Sequence, residues 1–199
     1  MSDPERPRVL SSQDEPAVVG NGEDVPVVDA WQAAADTGAS MRTRAGEPGE
    51  GKPRRQGPPW TPASAGLPGA LRGEIIDAMR EALPNEGCGV LVADRVAEDG
   101  GVPMRFVAMR NVAASPFRYL MDPDEQLRVL LEIDDADEVV WAIVHSHVAS
   151  PPAPSPTDVG LAAYPDALYI LCSFAAEPPE VRGWTIVNGA VNEVVLEPV

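Results

Sequence analysis

The chain has 199 residues, a formal net charge of −16 at pH 7, two cysteines and two histidines. So negative a balance disfavours nucleic acid as a partner, no run of 18 apolar residues offers a membrane span, and no basic stretch followed by an apolar one marks a secretory leader. A cytoplasmic protein is the expectation.

The composition divides near residue 66. Residues 1–66 hold nine prolines and eight glycines against only seven Leu, Ile, Val and Phe, too little apolar surface to offset an ordering cost of roughly 1–2 kcal/mol per residue. They are predicted to be a disordered Pro/Gly-rich extension, with residues 67–199 forming one folded domain. Within the extension Asp29 can cap one transient helical turn. Trp31 and Trp60 are candidate docking points or, more simply, isolated aromatics in a linker.

From Leu67, apolar residues Leu71, Ile75, Ala78, Met79 and Ala82 recur at helical spacing. Pro84-Asn85 stops that helix, and Gly87–Ala93 reads as a short apolar strand, which leaves Glu86 on the turn between them. Residues 94–103 form a loop around Asp99-Gly100-Gly101, and Met104–Val112 is a second strand pairing with the first. Asp122-Pro123-Asp124-Glu125 carries a capping residue, a proline at the first helical position and acidic residues in the first turn, so a helix is predicted over 123–133. Its apolar stripe is Leu127, Leu130 and Leu131, and the acidic run Asp134–Glu138 is a solvated connection.

Val139–Val144 reads as a buried strand that delivers His145 and His147 on one face at its end. A loop stiffened by Pro151, Pro152, Pro154 and Pro156 leads to Ser155 and Asp158. Thr157 is the expected cap of a short helix over 158–163. Two imidazoles and a carboxylate are three candidate ligands for one catalytic zinc with a fourth position open to water; the competing reading is a polar strand end and a capping Asp. Economy favours the metal, because these are the only histidines in the chain. Leu168–Phe174 is a further buried strand, and residues 181–187 and 190–196 flank Asn188-Gly189 as a hairpin. Cys88 and Cys172 lie in strand-like runs with no framework spacing, so both are expected to be reduced, packed thiols; oxidation of Cys88, two residues from Glu86, is the other possibility.

The order H-x-H, seven residues, S-x-x-D, with Glu86 upstream in PNEGCGVLVA, resembles the JAMM or MPN+ metalloproteases. The likeness covers residues 70–199, including NVAASPFRYLMDPDEQL, PSPTDVGLA and WTIVNGAVNE, and is nearest to the small Mec-type enzymes of actinobacteria. Val148 stands where many JAMM members have a proline, a departure that the Mec-type members share. The resemblance implies an α/β fold, a curved mixed sheet flanked by helices. It implies zinc on His145, His147 and Asp158, Glu86 as general base and then acid, and Ser155 as oxyanion donor.

It also implies a substrate: the amide after the C-terminal Gly-Gly of a small ubiquitin-like sulfur carrier protein, cleaved to release cysteine. Hydrolysis of another ubiquitin-like or small-amide conjugate stays open, as does a non-catalytic MPN interaction module. Read from residues alone, Glu86 is otherwise a solvated turn residue and Ser155 a loop serine bonding its own backbone.

Overall fold

The computed structural model describes residues 62–199; the readings made for Asp29, Trp31 and Trp60 lie outside the described residues. Seven strands form one mixed sheet. They are β1 (Ser64–Leu67), β2 (Cys88–Ala93), β3 (Arg105–Met109), β4 (Val139–His147), β5 (Leu168–Ser173), β6 (Glu180–Val187) and β7 (Ala190–Pro198), in the spatial order β1-β7-β6-β5-β4-β2-β3. The β4–β5 and β1–β7 pairs are parallel and the rest antiparallel. Among the described residues three α-helices connect them, α1 (Gly69–Glu81), α2 (Pro123–Asp135) and α3 (Pro156–Leu161), with a short 3-10 turn at Ala97–Asp99.

Two apolar clusters lie on the two faces of this sheet. On one, Leu71, Ile75 and Met79 of α1 pack with Leu91, Val144, Leu168 and Ile170. On the other, Val129 and Ile133 of α2 pack with Val90, Val92, Ile143 and Tyr169. Residues alternate between faces along β4, so Ile143, His145 and His147 share the α2 side while Ser146 turns toward α1. The mixed sheet with flanking helices is the expected architecture. The hairpin is also as expected, with Asn188 (φ 52°) and Gly189 (φ 80°) both left-handed, as a tight two-residue turn requires.

Four local expectations are corrected. Ser64–Gly66, assigned to the extension, belong to β1, which pairs with β7 from Ser64↔Val195 to Leu67↔Pro198; so short and small-residue a strand is held by its neighbour and carries no pattern of its own. The buried face of α2 is Gln126, Val129 and Ile133, with Leu130 half-buried, while Leu127 and Leu131 are 54% and 49% exposed. Both stripes have helical spacing, and the start of the helix decides between them. The Asp122 side chain accepts from the amides of Asp124 and Glu125, and Arg110 N donates to Glu125 at 2.9 Å, fixing the rotation of α2 against the end of β3. Glu138 is not merely solvated but pairs with Arg105. Finally, α3 spans Pro156–Leu161 and its cap is Ser155, not Thr157.

Candidate active site

Asp158 stands in the first turn of α3, facing the end of β4. His145 Nε2 lies 3.3 Å from one of its carboxylate oxygens and His147 Nε2 3.5 Å from the other. The ligating atoms of all three residues fall within 4.8 Å of one another, so the structure brings the three predicted ligands together. The chemistry of this set fits a metal ion. Both ring nitrogens of His145 are buried without a hydrogen-bond partner, an arrangement that is costly for an imidazole with nothing to bind. His147 Nδ1 lies 2.7 Å from the Pro151 carbonyl and is therefore assigned the proton, which leaves the Nε2 lone pair directed at the group. Two imidazole nitrogens and one carboxylate are ligands that zinc accepts.

The charges are mutually adjusted. Burial opposes ionisation of Asp158, but the imidazoles of His145 and His147 and the bond from Ser155 outweigh it and hold the carboxyl well below its usual range. Burial holds His145 toward its neutral form. For His147 burial works in the same direction, yet Asp158, the Pro151 carbonyl and Glu86 together raise its affinity for a proton above the ordinary value.

The loop between the histidines and Asp158 is fixed through its carbonyls. Proline has no N–H to donate, so a proline-rich segment can be held only as an acceptor. The Ser173 hydroxyl donates to Ser150 O at 2.6 Å, Trp184 Nε1 to Pro152 O at 3.0 Å, and His147 takes Pro151 O. At the end of the loop Ser155 and Asp158 form a capping box: Asp158 N donates to Ser155 Oγ at 3.2 Å and Ser155 N to the Asp158 carboxylate at 2.6 Å. The box aims the carboxylate at the histidines.

Glu86 reaches the same site from the α1–β2 connection and is only 4% exposed. Burial pushes its carboxyl up to about 7, with His147 drawing it down and Asp158 pushing it further up. Its backbone is held on both sides: Glu86 N donates to Ser115 O at 2.9 Å, and Asn111 Nδ2 donates to Glu86 O at 2.9 Å. The next residue, Gly87, exchanges bonds with Ser146, its N–H donating to the hydroxyl at 2.8 Å and its carbonyl accepting from Ser146 N at 3.0 Å. A side chain at Gly87 would put a Cβ 2.7 Å from Met79 Sδ, so glycine permits the close approach of Glu86 to β4 over α1.

Four residues with a part in this geometry carried no assigned role in the sequence reading. Ser146 looks like a spacer between two histidines. Asn111 binds two carbonyls through Nδ2, Glu86 O and Arg118 O, and two amides through Oδ1, Ala113 N and Leu120 N. Tyr119 stacks on the His145 ring with centroids 4.6 Å apart, and Trp184 anchors the proline loop. Asn111, Tyr119 and Trp184 lie in stretches that carried the family resemblance, which was the available signal. Cys88 and Cys172 are buried and free, their thiols pushed up to about 12 and about 11 by burial. No helix among the described residues is long and apolar enough to cross a membrane.

A family model described as prokaryotic homologs of the JAB domain matches residues 68–187. The CysO-cysteine peptidase of Mycobacterium tuberculosis is 43% identical over 129 residues, covering 62% of this chain and 86% of that protein. The desampylase of Haloferax volcanii is 34% identical over 118 residues, covering 57% and 83% respectively. The solution structure of a protein from Desulfitobacterium hafniense superposes with a TM-score of 0.59 at 31% identity, over 67% of this chain and 93% of that one. With the family match spanning more than half of the sequence, and with relatives this similar over most of their own length, the chain belongs to the prokaryotic JAB-domain family, the JAMM/MPN group of metallopeptidases.

Proposed function

We propose that this chain is a zinc metallopeptidase of the cytoplasm that hydrolyses the amide bond after the C-terminal Gly-Gly of a small ubiquitin-like sulfur carrier protein and releases cysteine, with the fold from Ser64 to the end of β7 as its catalytic domain. The observation that carries this reading is the convergence of His145, His147 and Asp158 beside the buried carboxyl of Glu86. The name and 43% identity of the CysO-cysteine peptidase support the choice of substrate.

His145, His147 and Asp158 would hold one zinc ion, which when bound would supply Lewis-acid chemistry that makes water a nucleophile near neutral pH. Glu86 accepts the proton of the attacking water and later delivers it to the leaving amine, a role that its burial beside His147 and Asp158 supports. The Ser155 hydroxyl, whose oxygen accepts from Asp158 N, donates a hydrogen bond to the carbonyl oxygen of the substrate as charge develops there. His147 is kept in the required tautomer by Pro151 O, and the proline loop spares the ligands much of the entropy of ordering.

The test is metal content measured alongside cleavage of a carrier–Gly-Gly–cysteine adduct, comparing the native chain with Glu86→Ala. One zinc per chain in both, with cysteine released only by the native protein, is the expected result. Zinc without cleavage keeps the hydrolase and rejects this substrate; the desampylase relative supports that second reading, hydrolysis of another ubiquitin-like conjugate. Absence of zinc from both proteins would favour a non-catalytic interaction module.

A further inference from the structure

The described residues include eight arginines and no lysine. Their partners separate one from the rest. Arg80, Arg95, Arg105, Arg110, Arg128 and Arg182 each stand against a carboxylate, and Arg72 donates to the carbonyls of Val181 and Leu196. The side chain of Arg118 is exposed and, alone among these eight arginines, makes neither a hydrogen bond nor an ion pair.

Its position gives that freedom a use. The amide nitrogen of Asn111 that donates to Glu86 O at 2.9 Å also donates to Arg118 O at 3.2 Å, so one side chain ties the two backbones together. The next residue, Tyr119, lays its ring on His145 at 4.6 Å. The loop is closed at its ends by the Asn111↔Met121 bridge and by Leu120 N donating to Asn111 Oδ1 at 2.9 Å. The one uncommitted arginine among the described residues is therefore carried on a segment tied to the backbone of Glu86 and adjoining the ring that stacks on His145, in a chain whose net charge of −16 otherwise repels anions.

We infer that Arg118 binds the α-carboxylate of the amino acid released at the scissile amide, so that the site selects a single C-terminal residue with a free carboxylate over an amidated or internal one. This rests on the hydrolase reading above. A guanidinium offers two parallel N–H donors that match a carboxylate. That carboxylate is attached to the same Cα as the scissile nitrogen, so capturing it also orients the leaving amine toward the proton held by Glu86. The loop is already positioned, so little ordering is required when the ligand arrives.

The test compares kcat/KM of the zinc-loaded native protein, Arg118→Gln and Arg118→Lys on two probes, the carrier–Gly-Gly–cysteine adduct and the same adduct ending in cysteine carboxamide. The native chain is expected to prefer the carboxylate about tenfold, chiefly through KM. Arg118→Gln is expected to abolish that preference while its carboxamide rate and melting temperature stay unchanged, and Arg118→Lys to retain part of it. Equal native rates on the two probes, or an Arg118→Gln variant that slows both alike, would overturn the inference and leave the hydrolase reading standing. Turnover of neither probe by the native protein would remove both.

Discussion

His145, His147, Ser155 and Asp158 come from fourteen consecutive residues, whereas Glu86 is set in place by segments scattered from Gly87 to Ser146. The first half of the site is a strand end, a proline loop and the cap of α3, joined in chain order, closed by the local His147–Pro151 and Ser155–Asp158 bonds and pinned by Ser173 and Trp184. The second half is a tertiary assembly in which Ser115, Asn111 and Ser146 each hold a backbone atom of Glu86 or Gly87. Contiguity makes the ligand half resistant to small shifts elsewhere, while the proton-carrying half depends on how well a distant loop is seated. Variants in the two halves should therefore separate metal content from turnover.

The largest effect belongs to the ligand half. Asp158→Ala removes a proposed ligand and one side of the capping box, so zinc stoichiometry should fall well below one per chain and cleavage by about 10³-fold or more. Metal analysis next to turnover checks this; full zinc with lost activity would place Asp158 outside the ligand set. Ser155→Ala comes next. If its hydroxyl meets the developing oxyanion, kcat should drop about 10²–10³-fold with zinc retained, whereas a residue that only caps α3 would cost about 1 kcal/mol in denaturant unfolding and leave kcat nearly intact.

In the proton-carrying half, Asn111→Ala deletes four hydrogen bonds and frees both the Glu86 carbonyl and the 111–121 loop. A loss of about 10–100-fold in kcat at unchanged zinc content is expected from misplacement of the proposed general base, with about 1–3 kcal/mol of lost stability. Loss of zinc in this variant would mean that the two halves are not separable.

Glu86 itself provides a readout that needs no substrate. Its carboxyl is raised to about 7 by burial, so the folded chain binds that proton more tightly than the unfolded chain does. By linkage, ionising Glu86 costs stability, and the cost grows as pH rises from about 4.5 to about 7. In metal-free protein Glu86→Gln should therefore gain about 2–3 kcal/mol relative to the native chain across that window and be nearly neutral below it. A pH-independent difference would show that the carboxyl is solvated.

The same contrast explains what was legible beforehand. The pair of histidines, the serine and the aspartate lie within a few turns of chain, and their spacing alone suggests a ligand set. The capping box is equally readable from Ser155-Pro156-Thr157-Asp158, since a serine three residues ahead of an acid is its signature, a signal that the expected cap at Thr157 overlooks. Glu86 emerged only through the family resemblance, because a glutamate on a turn carries no pattern of its own. Asn111 and Ser146 act by bonds to residues 25 and 59 positions away, which no local periodicity encodes. The stripe of α2 was missed because the tie between Arg110 and Glu125 sets its rotation. β1 exists through its pairing with β7.

The smallest effect is expected at the seam between the halves. Cys88 is two residues from Glu86 and stands directly opposite His145 in the β2–β4 register, where a reactive thiol would couple oxidation to the site. Its surroundings argue against that. The thiol donates to Met109 O at 3.5 Å, is buried, and is pushed up to about 12 by burial, with Glu125 and Glu86 adding to the effect, so thiolate is scarce at neutral pH. Cys88→Ala should change kcat/KM less than about twofold, cost roughly 1 kcal/mol through lost packing, and leave zinc content untouched. Folded native protein should resist thiol alkylation at pH 8, while the unfolded chain reacts at both cysteines. Rapid modification of Cys88 in the fold, with loss of activity, would mean that the seam opens and that the two halves share a redox control.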